Sequence, residues 1–189
     1  MYNKVFNRCM RMIMISTLSC AMSGFATSVA ADTETLDTSI PTADDIIRAK
    51  IIDGLSLVDY AKYEVAQVLT VAELSVTAST WNAQADGKGA TTKYVKTVYI
   101  NHTSGEITIT FNEANIGGIP SDSSIVFTPY IQAGGNPVPL VGAFIDQVTG
   151  AMDWGCASVT NAVSSGQNLP VITAAVVPLP SRYAPAECR

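Results

Sequence analysis

Ile47-Arg48-Ala49-Lys50-Ile51-Ile52-Asp53-Gly54-Leu55-Ser56-Leu57-Val58 opens a long run of helical periodicity. Apolar residues recur at Ile47, Ile51, Leu55, Val58, Ala61, Val65, Leu69 and Ala72. Steps of three and four residues mark one face of an α-helix. Ahead of the run, Thr42 can cap the first turn, and Asp44 and Asp45 sit where the helix dipole favours acids. The spacing predicts a single helix over residues 43–74 whose buried face is Ile47, Ile51, Leu55, Val58, Val65 and Leu69. Gly54 inside it costs about 1 kcal/mol against alanine. The polar face mixes Asp53, Asp59 and Glu64 with Arg48, Lys50 and Lys62. A membrane-surface helix would be basic there, so packing on the protein's own sheet is expected.

Downstream the pattern changes. Ser, Thr, Asn and Gly dominate 75–92 around Trp81, and read as a long surface loop. Tyr94-Val95-Lys96-Thr97-Val98-Tyr99-Ile100 is rich in β-branched and aromatic residues, and Ile107-Thr108-Ile109-Thr110-Phe111 alternates apolar with Thr. With His102-Thr103-Ser104-Gly105 as the turn, these make a β-hairpin. A third strand is expected over 125–131, with Pro129 at an edge or bulge. Residues 140–148 read as another strand, and a turn at Thr149-Gly150 leads to Ala151-Met152-Asp153-Trp154-Gly155-Cys156. Residues 157–189 are loop-like. One helix followed by antiparallel strands predicts an α+β roll, a long N-terminal helix on one face of an antiparallel sheet.

Upstream of the helix, Lys4, Arg8 and Arg11 precede the apolar stretch Met12-Ile13-Met14-Ile15-Ser16-Thr17-Leu18-Ser19-Cys20-Ala21-Met22, and Ala26-Thr27-Ser28-Val29-Ala30-Ala31 follows. Basic, apolar, then small is the pattern of a secretory signal peptide. Residues 1–31 are therefore expected to be a Sec-type signal cleaved near Ala30 or Ala31, with 32–42 as a flexible linker and 43–189 as one globular domain. No stretch reaches the roughly 20 apolar residues of a transmembrane anchor. A lipoprotein signal on Cys20 remains an alternative, although Leu18 stands one place late for it. The whole chain carries a net charge of −5, and removing Lys4, Arg8 and Arg11 leaves eight basic residues against sixteen acids. Nucleic acid is therefore not the expected partner, since that binding needs clustered Lys and Arg. Cys9 and Cys20 leave with the signal. Cys156 and Cys188 remain as an even pair in an oxidising compartment, periplasmic or extracellular, so one disulfide bounding the C-terminal region is expected.

Catalytic chemistry lacks its residues. His102 is the single histidine and falls in the hairpin turn, and no Gly-x-Ser-x-Gly elbow accompanies it. Asp86-Gly87-Lys88-Gly89 has neither the acidic spacing of a Ca²⁺ loop nor the ending of a phosphate loop, and reads as a turn. Asn101-His102-Thr103 fits a three-residue glycosylation sequon. Neither an enzyme, nor a cofactor, nor a metal is expected.

Four segments, in order, resemble the type IV pilins of Gram-negative bacteria. Ile47-Arg48-Ala49-Lys50-Ile51-Ile52-Asp53-Gly54-Leu55-Ser56-Leu57, with Ala61-Lys62 and Val65-Ala66, is similar to the second half of the pilin's N-terminal helix. Residues 94–111 resemble the first pilin hairpin. Phe127-Thr128-Pro129 and Gly150-Ala151-Met152-Asp153-Trp154-Gly155-Cys156 resemble the later strands running into the first pilin cysteine. Leu179-Pro180-Ser181-Arg182-Tyr183-Ala184-Pro185-Ala186-Glu187-Cys188-Arg189 resembles the pilin C-terminus. The resemblance implies the pilin roll, and implies that the Cys156–Cys188 region is an exposed recognition surface. A pilin also begins with a short basic leader, a Gly cleavage site, a methylated Phe and an apolar half-helix, and those motifs are not found in residues 1–46. The expectation is a pilin head without the prepilin leader and apolar half-helix.

Three function classes follow. The first is a soluble exported pilin-like protein with a non-enzymatic role, binding a pilin, an assembly component, a surface receptor or a phage. The second is a structural pilus subunit or adhesin incorporated in a filament. The third is a small-ligand or glycan-binding module, which would need Trp81 and Trp154 exposed. Oligomeric state is left open.

Overall fold

The computed structural model describes residues 40–189. The expected signal peptide, the lipidation alternative at Cys20 and nearly all of the linker lie outside the described residues.

Helix α1 spans Ala43–Ala66. Thr42 caps it in a reciprocal box: the Asp45 amide donates to the Thr42 hydroxyl at 3.2 Å, and the Thr42 amide donates to the Asp45 carboxylate at 3.0 Å. The expected single helix is broken. Residues 67–70 form a corner, and a second helix, α2, spans Val71–Asn82. The break has a local cause. Thr70 accepts from the Glu73 amide at 3.2 Å, while Glu73 accepts from the Leu69 amide at 2.8 Å. A second helix start is thus written inside what reads as one period.

Two residues of the expected buried face are corrected by this geometry. Ile47, Ile51, Val58 and Val65 are buried, but Leu55 is only partly buried and Leu69 is 77% exposed. Gly54 and Val68, each one residue earlier, take the inward positions instead. At Gly54 α1 packs tightly on the sheet: a Cβ there would lie 2.9 Å from Val95 Cγ2 and 3.3 Å from Phe111 Cε1. Gly54→Val is expected to cost about 1–3 kcal/mol by overpacking, measured by urea denaturation. An unchanged midpoint would mean that the helix can lift off the sheet freely.

The expected loop 75–92 is corrected too. Leu74, Ala78, Trp81 and Asn82 make a buried stripe on α2. Ser79 and Thr80 turn their hydroxyls back to the Ser75 and Val76 carbonyls, which removes the competition these residues otherwise offer to a helix. Trp81 Nε1 donates to the Val98 carbonyl at 2.8 Å. The Asn82 amide both donates to and accepts from the Ile100 backbone, at 2.8 and 2.9 Å. Side chains of α2 therefore cap the outer edge of the first strand. A short turn, α3 (Gln84–Gly87), holds Ala85 and Asp86 at positive φ. Gly89 follows at φ +69°, bridged to Val98 so closely that a Cβ would meet the Val98 carbonyl oxygen. Asp86-Gly87-Lys88-Gly89 is thus a turn against the sheet edge.

The sheet comprises β1 (Val95–Ile100), β2 (Ile107–Phe111), β3 (Ser124–Ala133), β4 (Asn136–Pro139) and β5 (Ala151–Ala157), all antiparallel to their neighbours. Val98 faces Ile109 and Ile109 faces Ile125, so the hairpin's apolar positions share one register with the third strand. Beyond β3 lies β5, with Phe127 opposite Cys156. Pro129 was expected at an edge or bulge, but it stands within this central strand. It falls between Phe127, where pairing with β2 ends, and Tyr130, where pairing with β4 begins.

Between β2 and β3, the single turn α4 (Glu113–Ile116) lies beside Lys96, which reaches Glu113 and Asp122 at 2.7 Å each. The expected strand over 140–148 is instead the helix α5 (Leu140–Ile145), burying Leu140 and Ala143 three residues apart. Short apolar runs do not distinguish strand from helix by period alone. Helix α6 (Ala162–Gly166) and a 3₁₀ turn (Ala186–Cys188) complete an α+β roll.

The Lys96 ammonium holds the Glu113 carboxyl down at about 2, mainly through their hydrogen bond, against an ordinary value of 4.5. A carboxyl depressed on folding stabilises the fold above its unfolded value and loses that contribution as pH falls toward the folded one. Stability should therefore drop between about pH 5 and 2. In Lys96→Met that drop should be visibly shallower in melting curves taken across this window. An unchanged pH profile would assign the acid sensitivity to other groups.

Candidate functional site

The C-terminal region is closed by the Cys156–Cys188 disulfide, with Cα atoms 4.6 Å apart. Cys156 lies in β5 and Cys188 in the 3₁₀ turn, and both are buried. Hydrogen bonds reinforce the closure. The Ser158 amide and hydroxyl donate to the Cys188 carbonyl at 3.0 and 2.6 Å, and the Cys156 amide donates to the Ser164 hydroxyl at 2.8 Å. Farther along, the Ser124 amide donates to the Val177 carbonyl and the Leu179 amide to the Ser124 carbonyl.

Glu106 ties the enclosed segment to the hairpin, and sequence reasoning did not find it. It is 3% exposed although it lies beside a turn, between Gly105 and β2. Its carboxylate accepts from the Thr128 hydroxyl at 2.6 Å and from the Thr173 amide at 3.0 Å, and the Thr173 hydroxyl also donates to it. The Ser104 hydroxyl, two residues back, also donates to it at 3.2 Å, but the partners that bury it, Thr128 and Thr173, are 22 and 67 residues away, and no local pattern reveals them. Burial and the nearby Glu106 carboxylate raise the pKa of Tyr130, whose hydroxyl donates to the Pro170 carbonyl. Glu106→Gln should cost about 1–3 kcal/mol, because one acceptor becomes a donor facing donors. Hydrogen exchange should quicken first at Thr173; an unchanged Thr173 amide would remove Glu106 as the tie.

The second surface is the outer face of α1. Ile52, Tyr60 and Tyr63 are 63%, 67% and 63% exposed. With Ser56 they follow steps of four, four and three, so three large side chains line one exposed stripe of α1 among the charged Asp53, Asp59 and Glu64. Isolated exposed apolar residues are ordinary, but an aligned set on three turns is the pattern of a docking face.

Beside this face lies a groove of about 530 Å³ between Ile52, Leu55 and Asp59 of α1 and Pro185, Ala186 and Glu187. Lys62 sits in it, its ammonium 4.2 Å from the Phe127 ring centre and 5.5 Å from that of Trp154. Burial pushes the Lys62 pKa down, against the opposing pull of Asp59, Glu187 and Asp153. A second groove of about 630 Å³ lies at the α1–α2 corner, where Leu69 joins Leu140, Phe144 and Met152.

Other sequence candidates resolve simply. Trp81 is buried, so the pair of exposed tryptophans needed for a sugar groove is not present, and Trp154 is half-buried beside Lys62. His102 is partly buried, within 3.3 Å of both Ser79 Oγ and Asn82 Nδ2. The Asn101 side-chain carbonyl accepts from the Thr103 amide and hydroxyl and the Ser104 amide, closing the hairpin turn. Among the described residues, no helix is long and apolar enough to cross a membrane.

A capped helix on an antiparallel sheet, with a C-terminal segment closed by a disulfide beside that helix, is a pilin-type roll. The model of the Pilin family, described as bacterial filament, matches residues 47–189, and the chain belongs to that family. It is similar to a type IV pilin of Pseudomonas aeruginosa strain Pa110594: 31% identity, a TM-score of 0.70, and coverage of 76% of this chain and 98% of that one. No curated protein matches the chain.

Proposed function

We propose that the chain is a structural subunit of a type IV pilus, packed in the filament through its head and the outer face of α1. The observation that supports this is the aligned, exposed Ile52, Tyr60 and Tyr63 on a head of the pilin family. A neighbouring helix laid on that face would bury three large side chains, each contributing about 1.5–3 kcal/mol if fully covered. Export precedes assembly, with cleavage after Ala30 or Ala31, and intact-mass measurement of the exported chain tests that step. Gold-labelled antibody against this protein on sheared filaments tests the function. Label along the filaments is expected. Label confined to the periplasm of piliated cells overturns the subunit reading.

That second result would favour a soluble exported head that binds a pilin or an assembly component. Its motivation is the basic, apolar, then small pattern from Lys4 to Ala31. Pull-down of pilus components by the periplasmic protein would support it, and recovery of none would remove it.

A further inference from the structure

We propose that His102 is an acid-sensitive clasp: as a neutral imidazole it holds α2 on the edge of β1 through Asn82, and on protonation it lets that edge go. The inference stands apart from the filament-subunit reading.

The hydrogen bonds around the ring admit one arrangement. The Ile100 amide donates to Asn82 Oδ1 at 2.9 Å, and Asn82 Nδ2 donates to the Ile100 carbonyl at 2.8 Å. That pair fixes which end of the Asn82 side chain is oxygen. The second Nδ2 hydrogen is left for His102 Nε2, 3.3 Å away, so Nε2 must accept. On the other side of the ring, Ser79 Oγ gives its one hydrogen to the Ser75 carbonyl at 2.8 Å. Toward His102 Nδ1, at 3.3 Å, it can only accept, so Nδ1 carries the hydrogen of the ring. Both neighbours on α2 therefore select the same neutral tautomer.

A proton added at Nε2 sets donor against donor, and two relaxations are open. Asn82 can turn its amide, which mismatches both of its bonds to Ile100. Alternatively the ring can swing off α2, which opens Asn82, now only 8% exposed, to water. Either way the Ile100 amide loses protection, because its acceptor is Asn82.

The elements packed around the ring supply no carboxylate to hold the charged form. Among the described residues His102 forms no ion pair. Tyr99 of β1 meets it edge-on, with ring centres 6.0 Å apart, and Lys96 of the same strand is engaged by Glu113 and Asp122. Glu73, the one charged residue of α2, accepts from the Leu69 amide at the far end of that helix. Glu106, on the same hairpin, is taken up by Ser104, Thr128 and Thr173. Imidazole is the side chain whose charge ordinarily changes between about pH 5 and 8. The clasp is thus closed above that range and is lost as the pH falls through it. Trp81 and Gly89 still cover β1 at Val98, so release is confined to the Ile100 end. There it frees backbone groups of an outer strand, which become open to pairing.

The test uses the untagged exported chain, whose single histidine gives one imidazole spectrum. Two-bond ¹H–¹⁵N correlation at about pH 8 should show the hydrogen on Nδ1 and none on Nε2. The opposite tautomer overturns the clasp. Protection of the Ile100 amide against exchange, corrected for intrinsic rates, should fall about tenfold between about pH 7.5 and 5, the scale of one buried hydrogen bond. His102→Gln can still accept from Asn82 but does not titrate, and should keep its protection across that window. Unchanged protection in the parent, or a fall that persists in a His102→Gln protein melting like the parent, overturns the proposal. The window lies above the acid range in which Glu113 responds, so the Lys96–Glu113 pair does not contribute to the readout.

Discussion

Replacing Cys156 and Cys188 together by serine is expected to destabilise the protein by about 3–4 kcal/mol and to lower its melting temperature by roughly 10 °C. The bridge spans 32 residues, and closing a loop of that length removes a large share of the unfolded chain's freedom. Both positions are buried, so the serine hydroxyls would also enter an apolar site. The loss should not be uniform. The Ser158 and Val163 amides, bonded to the Cys188 and Arg189 carbonyls, should exchange faster at once. Residues 170–179 remain pinned by Glu106, Tyr130 and Ser124, and β1–β2 keeps its own ladder. Hydrogen exchange followed by mass spectrometry gives the order of release. A stability loss under about 1 kcal/mol would show that the hydrogen bonds alone hold the C-terminal region.

Phe111→Ala should cost about 3–5 kcal/mol, while Leu69→Ala should stay within about 0.5 kcal/mol of the parent. Phe111 is fully buried at the end of β2, and its ring packs where Gly54 brings α1 onto the sheet. Truncation opens a cavity at that joint, and Gly54 has no side chain with which to fill it. Leu69 is an apolar residue that periodicity assigns to the same face, yet it stands exposed at the α1–α2 corner. Urea denaturation of the two variants separates the positions. Equal losses would return Leu69 to the core and restore a continuous helix.

Several features of the molecule could be read before any tertiary structure. The start of α1 is set by Thr42 and Asp45, three residues apart, and the hairpin by the alternation from Ile107 to Phe111. Four segments in pilin order carried the family, and the two cysteines downstream of the expected signal carried the disulfide. Each signal is complete within a few residues or in the chain order itself, so no distant partner is needed to interpret it. Tertiary structure decided the rest. Ser- and Thr-rich residues form α2 because Trp81 and Asn82 find the edge of β1 some 17 and 18 residues away. Leu140–Ile145 coils rather than extends because Leu140 and Ala143 share one buried side. Pro129 sits in a central strand because one neighbour ends and another begins around it. Glu106 is buried because the C-terminal segment folds back with Thr173, and Gly54 faces inward because only a residue without a side chain lets the helix approach. In each of these the deciding partner is distant in sequence, and burial against it outweighs a local propensity worth less than about 1 kcal/mol per residue.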